Sequence, residues 1–114
     1  MWSAPVDDLT DWTYHGVAYE THYDSMLYAP DVVKKGDTYY MYAAGRARSL
    51  IVAASSKTPW GPFENPVETK LGFDPGVLVE DDGRAYAYWG GCAAPCYIAE
   101  LEDDMATIKK DTLV

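Results

Sequence analysis

Residues 74–89 read DPGVLVEDDGRAYAYW, and residues 29–42, APDVVKKGDTYYMY, lie over them as an earlier copy of the same pattern. Pro30 and Pro75 stand 45 positions apart and Tyr39 and Tyr86 stand 47 apart, which gives the later copy two extra residues between proline and tyrosine. The similarity continues downstream, where Ile51-Val52-Ala53-Ala54 falls over Tyr97-Ile98-Ala99-Glu100 at an offset of 46. A third pair of stretches, Ala4 to Tyr14 and Ser55 to Phe63, carries tryptophans 48 apart at Trp12 and Trp60. A fixed period of this length is the mark of a repeat architecture, and it has to be found before single elements are read.

Each copy reads as short strands. Val32-Val33 and Val77-Leu78-Val79 are apolar without alternation, as expected of a strand covered on both faces. Gly36 and Asp82-Gly83 supply the positive φ of a tight hairpin turn. Tyr39 to Ala43 and Ala85 to Trp89 form the return strands, rich in aromatic residues of high β-propensity. Third strands are expected at 50–54 and 96–101, and fourth strands near 62–65 and 106–110. No segment carries a 3.6-residue apolar period over three turns. Four antiparallel strands at a period of 45 to 48 residues describe β-propeller blades. The expected fold is therefore all-β: an incomplete propeller, with the end of a preceding blade and a linker in 1–27, one blade in 28–70 and the next in 71–114.

Two blades and a fraction leave a sheet face bare at each end. Either the polypeptide is a piece of a longer propeller, or it covers those faces by self-association.

The bulk composition narrows the partners. The chain has 114 residues, ten tyrosines, four tryptophans and 48% hydrophobic residues, which suits one packed, aromatic-rich domain. A net charge of −9 disfavours a phosphate backbone or an anionic membrane as partner. No apolar run reaches the roughly 18 residues that span a bilayer. The first 20 residues lack the basic start and apolar centre of a signal peptide, so a cytoplasmic location follows if Met1 is the true start. Cys92 and Cys96, in the run CAAPC, form a poor zinc site without a second pair. They read as rim thiols or as a local disulfide. No metal and no cofactor are expected.

Chemistry would be built where the first strands of neighbouring blades begin, at Tyr28-Ala29-Pro30-Asp31 and Gly72-Phe73-Asp74-Pro75. Each start has a carboxylate beside a proline, which restricts the directions of its neighbours. Two carboxylates facing one cleft suit general acid and base work on a glycosidic bond. Asp beside Pro is also common at strand starts and turns, so the residues alone leave Asp31 and Asp74 open between the two roles. Asp81 and Asp82 precede Gly83 and read as turn residues. Glu80, Glu100, Glu102, Asp103 and Asp104 read as solvated edge or turn charges.

The stretch Tyr28 to Val33, with Gly36 to Tyr42 after it, resembles the W-A-P-D-V strand and return strand of glycoside hydrolase family 43. Phe73 to Tyr86 is similar to that family's D-P-x-hydrophobic strand with its D-D-G turn, and Ser3 to Trp12 resembles its outer-strand signal. The resemblance covers nearly the whole chain, as about blades two and three of a five-bladed propeller. It implies an inverting hydrolase of arabinosides and xylosides that uses an aspartate base, a glutamate acid and a second aspartate that tunes and orients the acid. Asp74 matches the tuning aspartate. Asp31 matches an aspartate that borders the substrate pocket, and Tyr28 stands where the family usually has Trp. Phe73, and His22 in the stretch THYDSM, are further candidates for the pocket rim.

The same resemblance implies that the base lies before Met1 and the acid beyond Val114, so the isolated chain is expected to be inactive. The pentose-containing oligo- or polysaccharide would be its partner. Two rivals remain. One is a non-catalytic carbohydrate-binding propeller, with Tyr28, Phe73 and Trp89 as stacking surfaces. The other is a protein-interaction propeller of kelch type, suggested by Trp89-Gly90-Gly91 but weakly matched by Ala44-Gly45.

Overall fold

The structure, a computed structural model, describes residues 1–21, 27–45, 50–91 and 95–114. Nine strands and no helix occur among them. A short ribbon pairs β1 (Trp2–Ser3) with β2 (Thr13–Tyr14). A four-stranded antiparallel sheet follows in the order β3 (Leu27–Lys35), β4 (Thr38–Gly45), β5 (Leu50–Ser56), β6 (Glu64–Glu68). A three-stranded antiparallel sheet comprises β7 (Gly76–Val79), β8 (Ala85–Trp89) and β9 (Tyr97–Leu101). These are the blades of an incomplete β-propeller.

The turns form where glycine permits them. Gly36 at φ 61° closes the β3–β4 hairpin. Gly83 at φ 85° closes β7–β8, donating its N–H to the Glu80 carbonyl. Asp82 is a turn residue: its carboxylate accepts both the backbone N–H and the Nε–H of Arg84, and these bonds hold it below the usual carboxylate range.

Two features depart from the sequence reading. The fourth strand expected at 106–110 is reduced to one bridge, Leu101 to Ile108. The last segment does run beside β9, through Glu102 N–H to Thr107 O, Lys109 N–H to Glu100 O, and a reciprocal pair between Ile98 and Val114. Between the last two contacts it loops out at Asp111, with φ 64°, and the Thr112 hydroxyl donates to Lys109 O at 2.7 Å inside that loop. A left-handed residue departs from extended geometry, and here the ladder breaks at it.

The second departure is one of register. Asp31 pairs with Tyr42 and Gly76 pairs with Tyr88, so the two copies differ by one residue across the hairpin, not two. Tyr42 therefore corresponds to Tyr88 and Ala43 to Trp89. Because side chains alternate faces along a strand, this single step exchanges inside for outside.

The main core lies between the two large sheets. Tyr42, Ala44, Ile51, Ala53 and Leu71 meet Ala85, Ala87, Trp89, Ala99, Leu101, Met105 and Ala106. Alanines on β8 and β9 let the sheets approach, and Tyr42, fully buried, fills the gap and donates its hydroxyl to Met105 O at 2.5 Å. The opposite face of the four-stranded sheet buries Met41, Ala43, Ala54 and Phe63 against Ala18 and Tyr19. The chain crosses between sheets at Thr69, buried, whose N–H and hydroxyl both donate to Ile51 O. The inner strands are less covered than their apolar runs suggest: Val32, Val33, Val77 and Val79 are half-buried and Leu78 is 48% exposed.

Candidate functional site

A shallow, widely open cleft of about 500 Å³ lies between the beginnings of the two inner strands, β3 and β7. Ala29, Pro30 and Asp31 form one wall, and Asp74 to Leu78 with Tyr88 form the other.

The backbone that shapes it is a β-bulge present in both sheets. On β3, Ala29 and Pro30 lie between the pairs Tyr28–Ala44 and Asp31–Tyr42, opposite the single residue Ala43. In the next sheet the Gly90 N–H donates to Phe73 O at 2.9 Å and Gly76 pairs with Tyr88, so Asp74 and Pro75 lie opposite the single residue Trp89. The first bulged residue is left-handed in both, Ala29 at φ 45° and Asp74 at φ 52°. A bulge bends the strand and redirects a side chain, and such bulges concentrate beside active sites. A non-glycine residue at positive φ is uncommon, with aspartate among the more tolerant types.

The two carboxylates thus occupy different positions of the repeat. Ala29 is the counterpart of Asp74, and Gly76 is the counterpart of Asp31. Asp31 is half-buried, and its Oδ2 accepts the backbone N–H of Val77 at 2.7 Å, which ties β3 to β7. Asp74 is exposed at the cleft, with Oδ2 beside Gly91. Phe73 is 51% and Tyr28 37% exposed, each one residue ahead of the bulge; they flank the cleft without forming its walls. His22 and Cys92 lie outside the described residues.

Trp89 is corrected by the structure. It is 9% exposed and belongs to the core between the sheets, stacked near Tyr97 with ring centroids 5.8 Å apart, so it offers no surface to a sugar. Tyr88, which the sequence reading missed, is 44% exposed and lines the cleft. The signal was the alternation Ala85-Tyr86-Ala87-Tyr88-Trp89: small residues on the packed face place both tyrosines on the other.

His15 is a packed loop histidine. Its Nε2 lies 2.6 Å from Ser3 Oγ and its ring stacks on Trp60 at 4.3 Å. At the hairpin end of the sheets Lys35 pairs with Asp103 at 2.9 Å, which lowers the Asp103 pKa. Glu100 is not a free edge charge: its half-buried carboxylate pairs with Lys109 at 2.7 Å. Among the described residues no group of three or more His, Cys, Asp or Glu side chains converges as a metal site would.

The sequence model of Glycosyl hydrolases family 43 matches residues 2–114. A xylosidase/arabinosidase of Thermoclostridium stercorarium is 38% identical over 113 residues, covering 80% of this chain and 24% of the relative. Xylosidase/arabinosidase 43A of Humicola insolens is 38% identical over 98 residues, covering 76% of this chain and 29% of the relative. Among solved structures, an endo-1,4-beta-xylanase from Bacteroides thetaiotaomicron superposes with a TM-score of 0.76 at 28% identity, over 98% of this chain and 41% of that one. The chain thus spans about a quarter of the length of these curated relatives. With the repeat, the paired bulges and the cleft between inner strands all in place, a match over residues 2–114 has one meaning: this chain belongs to glycosyl hydrolase family 43.

Proposed function

We propose that the chain forms one side of the substrate cleft of an inverting glycoside hydrolase acting on arabinose- or xylose-containing glycosides. Asp74 is the carboxylate that tunes and orients the general acid. The observation that carries this reading is the placement of Asp74 at the left-handed position of a bulge on the cleft wall. An ionised carboxylate held beside a carboxylic acid raises that acid's pKa, because two negative charges at close range oppose ionisation of the second. A bulge fixes the direction of the tuning charge. Asp31, tied to Val77, borders the pocket and sets the spacing of its walls. Tyr28 and Phe73 offer aromatic faces to a pentose ring at the rim.

The chain carries neither the acid nor the base in this reading, so it binds oligosaccharide without turning it over. The blades divide it at 28–70 and 71–114, after the end of a preceding blade in 1–27.

The test is an NMR titration of the 114-residue chain with xylo- and arabino-oligosaccharides, run beside an assay on aryl xyloside and aryl arabinofuranoside. Shifts confined to residues 28–31, 73–77 and 88, weakened in Phe73→Ala, with no turnover, are expected. Asp74→Asn keeps a residue that tolerates the left-handed backbone and serves as the folding-matched control. No shifts at the cleft with either sugar series would overturn the binding reading. Turnover above the Asp74→Asn background would overturn the claim that the acid and base are absent.

A further inference from the structure

We infer that Trp89-Gly90-Gly91, the run at the end of β8, is a positioning element for Asp74. The inference rests on the reading of Asp74 given above and adds the residues that hold its carboxylate in place. Three consecutive contacts support it, each matching one residue of the run to one residue of Gly72-Phe73-Asp74.

The first is steric. The Trp89 indole takes the space a side chain at position 72 would need: a Cβ on Gly72 would collide with Trp89 Cδ1. Trp89 cannot retreat, because it is buried in the core between the sheets. The second is a hydrogen bond: the Gly90 N–H donates to Phe73 O at 2.9 Å, which fixes the peptide plane that enters Asp74. Gly90 itself has no alternative, since at φ 113° a Cβ there would strike the Pro95 carbonyl oxygen. The third is space. A Cβ on Gly91, at φ 143°, would lie 4.0 Å from Asp74 Oδ2. Glycine at 91 keeps any Cβ of that residue away from the carboxylate.

The glycine doublet therefore does not need the kelch-type explanation. Its two glycines have separate tasks, one gripping the bulge and the other clearing the carboxylate. Asp74 is the group placed to touch the substrate's surroundings; Trp89, Gly90 and Gly91 act through it.

The experiment reads the Asp74 and Asp31 carboxyl ¹³C resonances of the full chain at neutral pH, together with thermal stability. In Gly91→Ala, where the backbone stands at φ 143° and a methyl group would lie about 4.0 Å from Asp74 Oδ2, the Asp74 carboxyl resonance should move while that of Asp31 stays in place. Gly83→Ala is the control: it imposes positive-φ strain at the β7–β8 hairpin, where nothing lies within 4 Å, and should lower the melting temperature without moving Asp74. Trp89→Phe, which keeps an aromatic core side chain, should shift the Asp74 signal even if Gly90 variants fail to fold.

An Asp74 resonance unmoved in both Gly91→Ala and Trp89→Phe overturns the inference. So does a Gly83→Ala shift as large as that of Gly91→Ala. The outcome is separable from the functional reading: Asp74 responding to Gly91→Ala in a chain that binds no pentose oligosaccharide would uphold the positioning element and remove its proposed use.

Discussion

The Asp31 carboxylate accepts the backbone N–H of Val77 at 2.7 Å, across a separation of 46 residues that equals the repeat period. One repeat thus holds the next by its inner strand, at the mouth of the cleft and not in the apolar core. A hydrogen bond to a charged acceptor contributes roughly 1.5 to 3 kcal/mol, and partial solvent exposure of Asp31 places this one near the lower end. Asp31→Ala should cost about 1 to 2 kcal/mol in denaturant unfolding and accelerate amide exchange at Val77. Asp31→Asn keeps an acceptor and should cost less. Val77 exchange unchanged in Asp31→Ala would show that the two strands are held without this contact.

The bulge makes a second expectation. Ala29 sits at φ 45°, where an L-residue is strained by roughly 1 to 2 kcal/mol. Ala29→Gly relieves that strain while adding entropy to the unfolded chain, so it should be neutral or stabilising by up to about 1 kcal/mol. Ala29→Val places a β-branched side chain in the same conformation and should destabilise by at least about 1 kcal/mol. Melting temperatures of the pair check this directly, and a valine variant as stable as the glycine one would mean that the bulge rearranges.

The repeat was legible because its punctuation is chemical: Pro30 and Pro75 at the bulges, Gly36 and Gly83 in the turns. Strand order followed from it, as did the cleft between successive strand starts. The register within β8 was not legible. Both return strands are dense in tyrosine, and sliding one over the other by a residue leaves almost as good a match. With the register open, nothing in the pattern singled out Tyr88 as the residue that lines the cleft. The broken last strand was also out of reach, since it depends on the left-handed turn at Asp111 and the Thr112 hydroxyl, neither of which alters the apolar pattern. Asp31 was visible as a carboxylate beside a proline. Its partner was not, because a backbone N–H leaves no mark in a side-chain pattern.

The corner at 102–107 predicts an acid-sensitive element. The Asp104 carboxylate accepts the Ala106 and Thr107 N–H groups, each at 2.9 Å, and the Thr107 hydroxyl at 2.6 Å. The Thr107 hydroxyl bond is the largest of the effects that lower its pKa. A folded pKa below the unfolded value of about 4 means that the contribution is present at neutral pH and lost as pH falls through that region. Asp104→Ala should cost about 1 kcal/mol at pH 7, as loss of a capping side chain does, and the gap to the parent chain should narrow toward pH 3. Denaturant melts at both pH values check the sign; a gap that widens in acid would contradict it.

Tyr42 predicts the opposite limb. Burial, with the negative charges of Asp31 and Asp104 among its neighbours, pushes the phenol pKa upward, so the folded protein keeps the proton that the unfolded chain releases above about pH 10. Where the folded state binds more protons, stability falls as pH rises, by at most about 1.4 kcal/mol per pH unit for one group. At pH 7 Tyr42→Phe should cost about 1 to 2 kcal/mol, because the buried Met105 carbonyl loses its donor. Above pH 10 the parent chain alone loses stability through this group, and the difference between the two should shrink or reverse. Parallel urea melts from pH 7 to pH 11 measure it. A constant difference across that range would mean that the Tyr42 phenol ionises in place, and that its hydroxyl is not what couples the core to the corner at Met105.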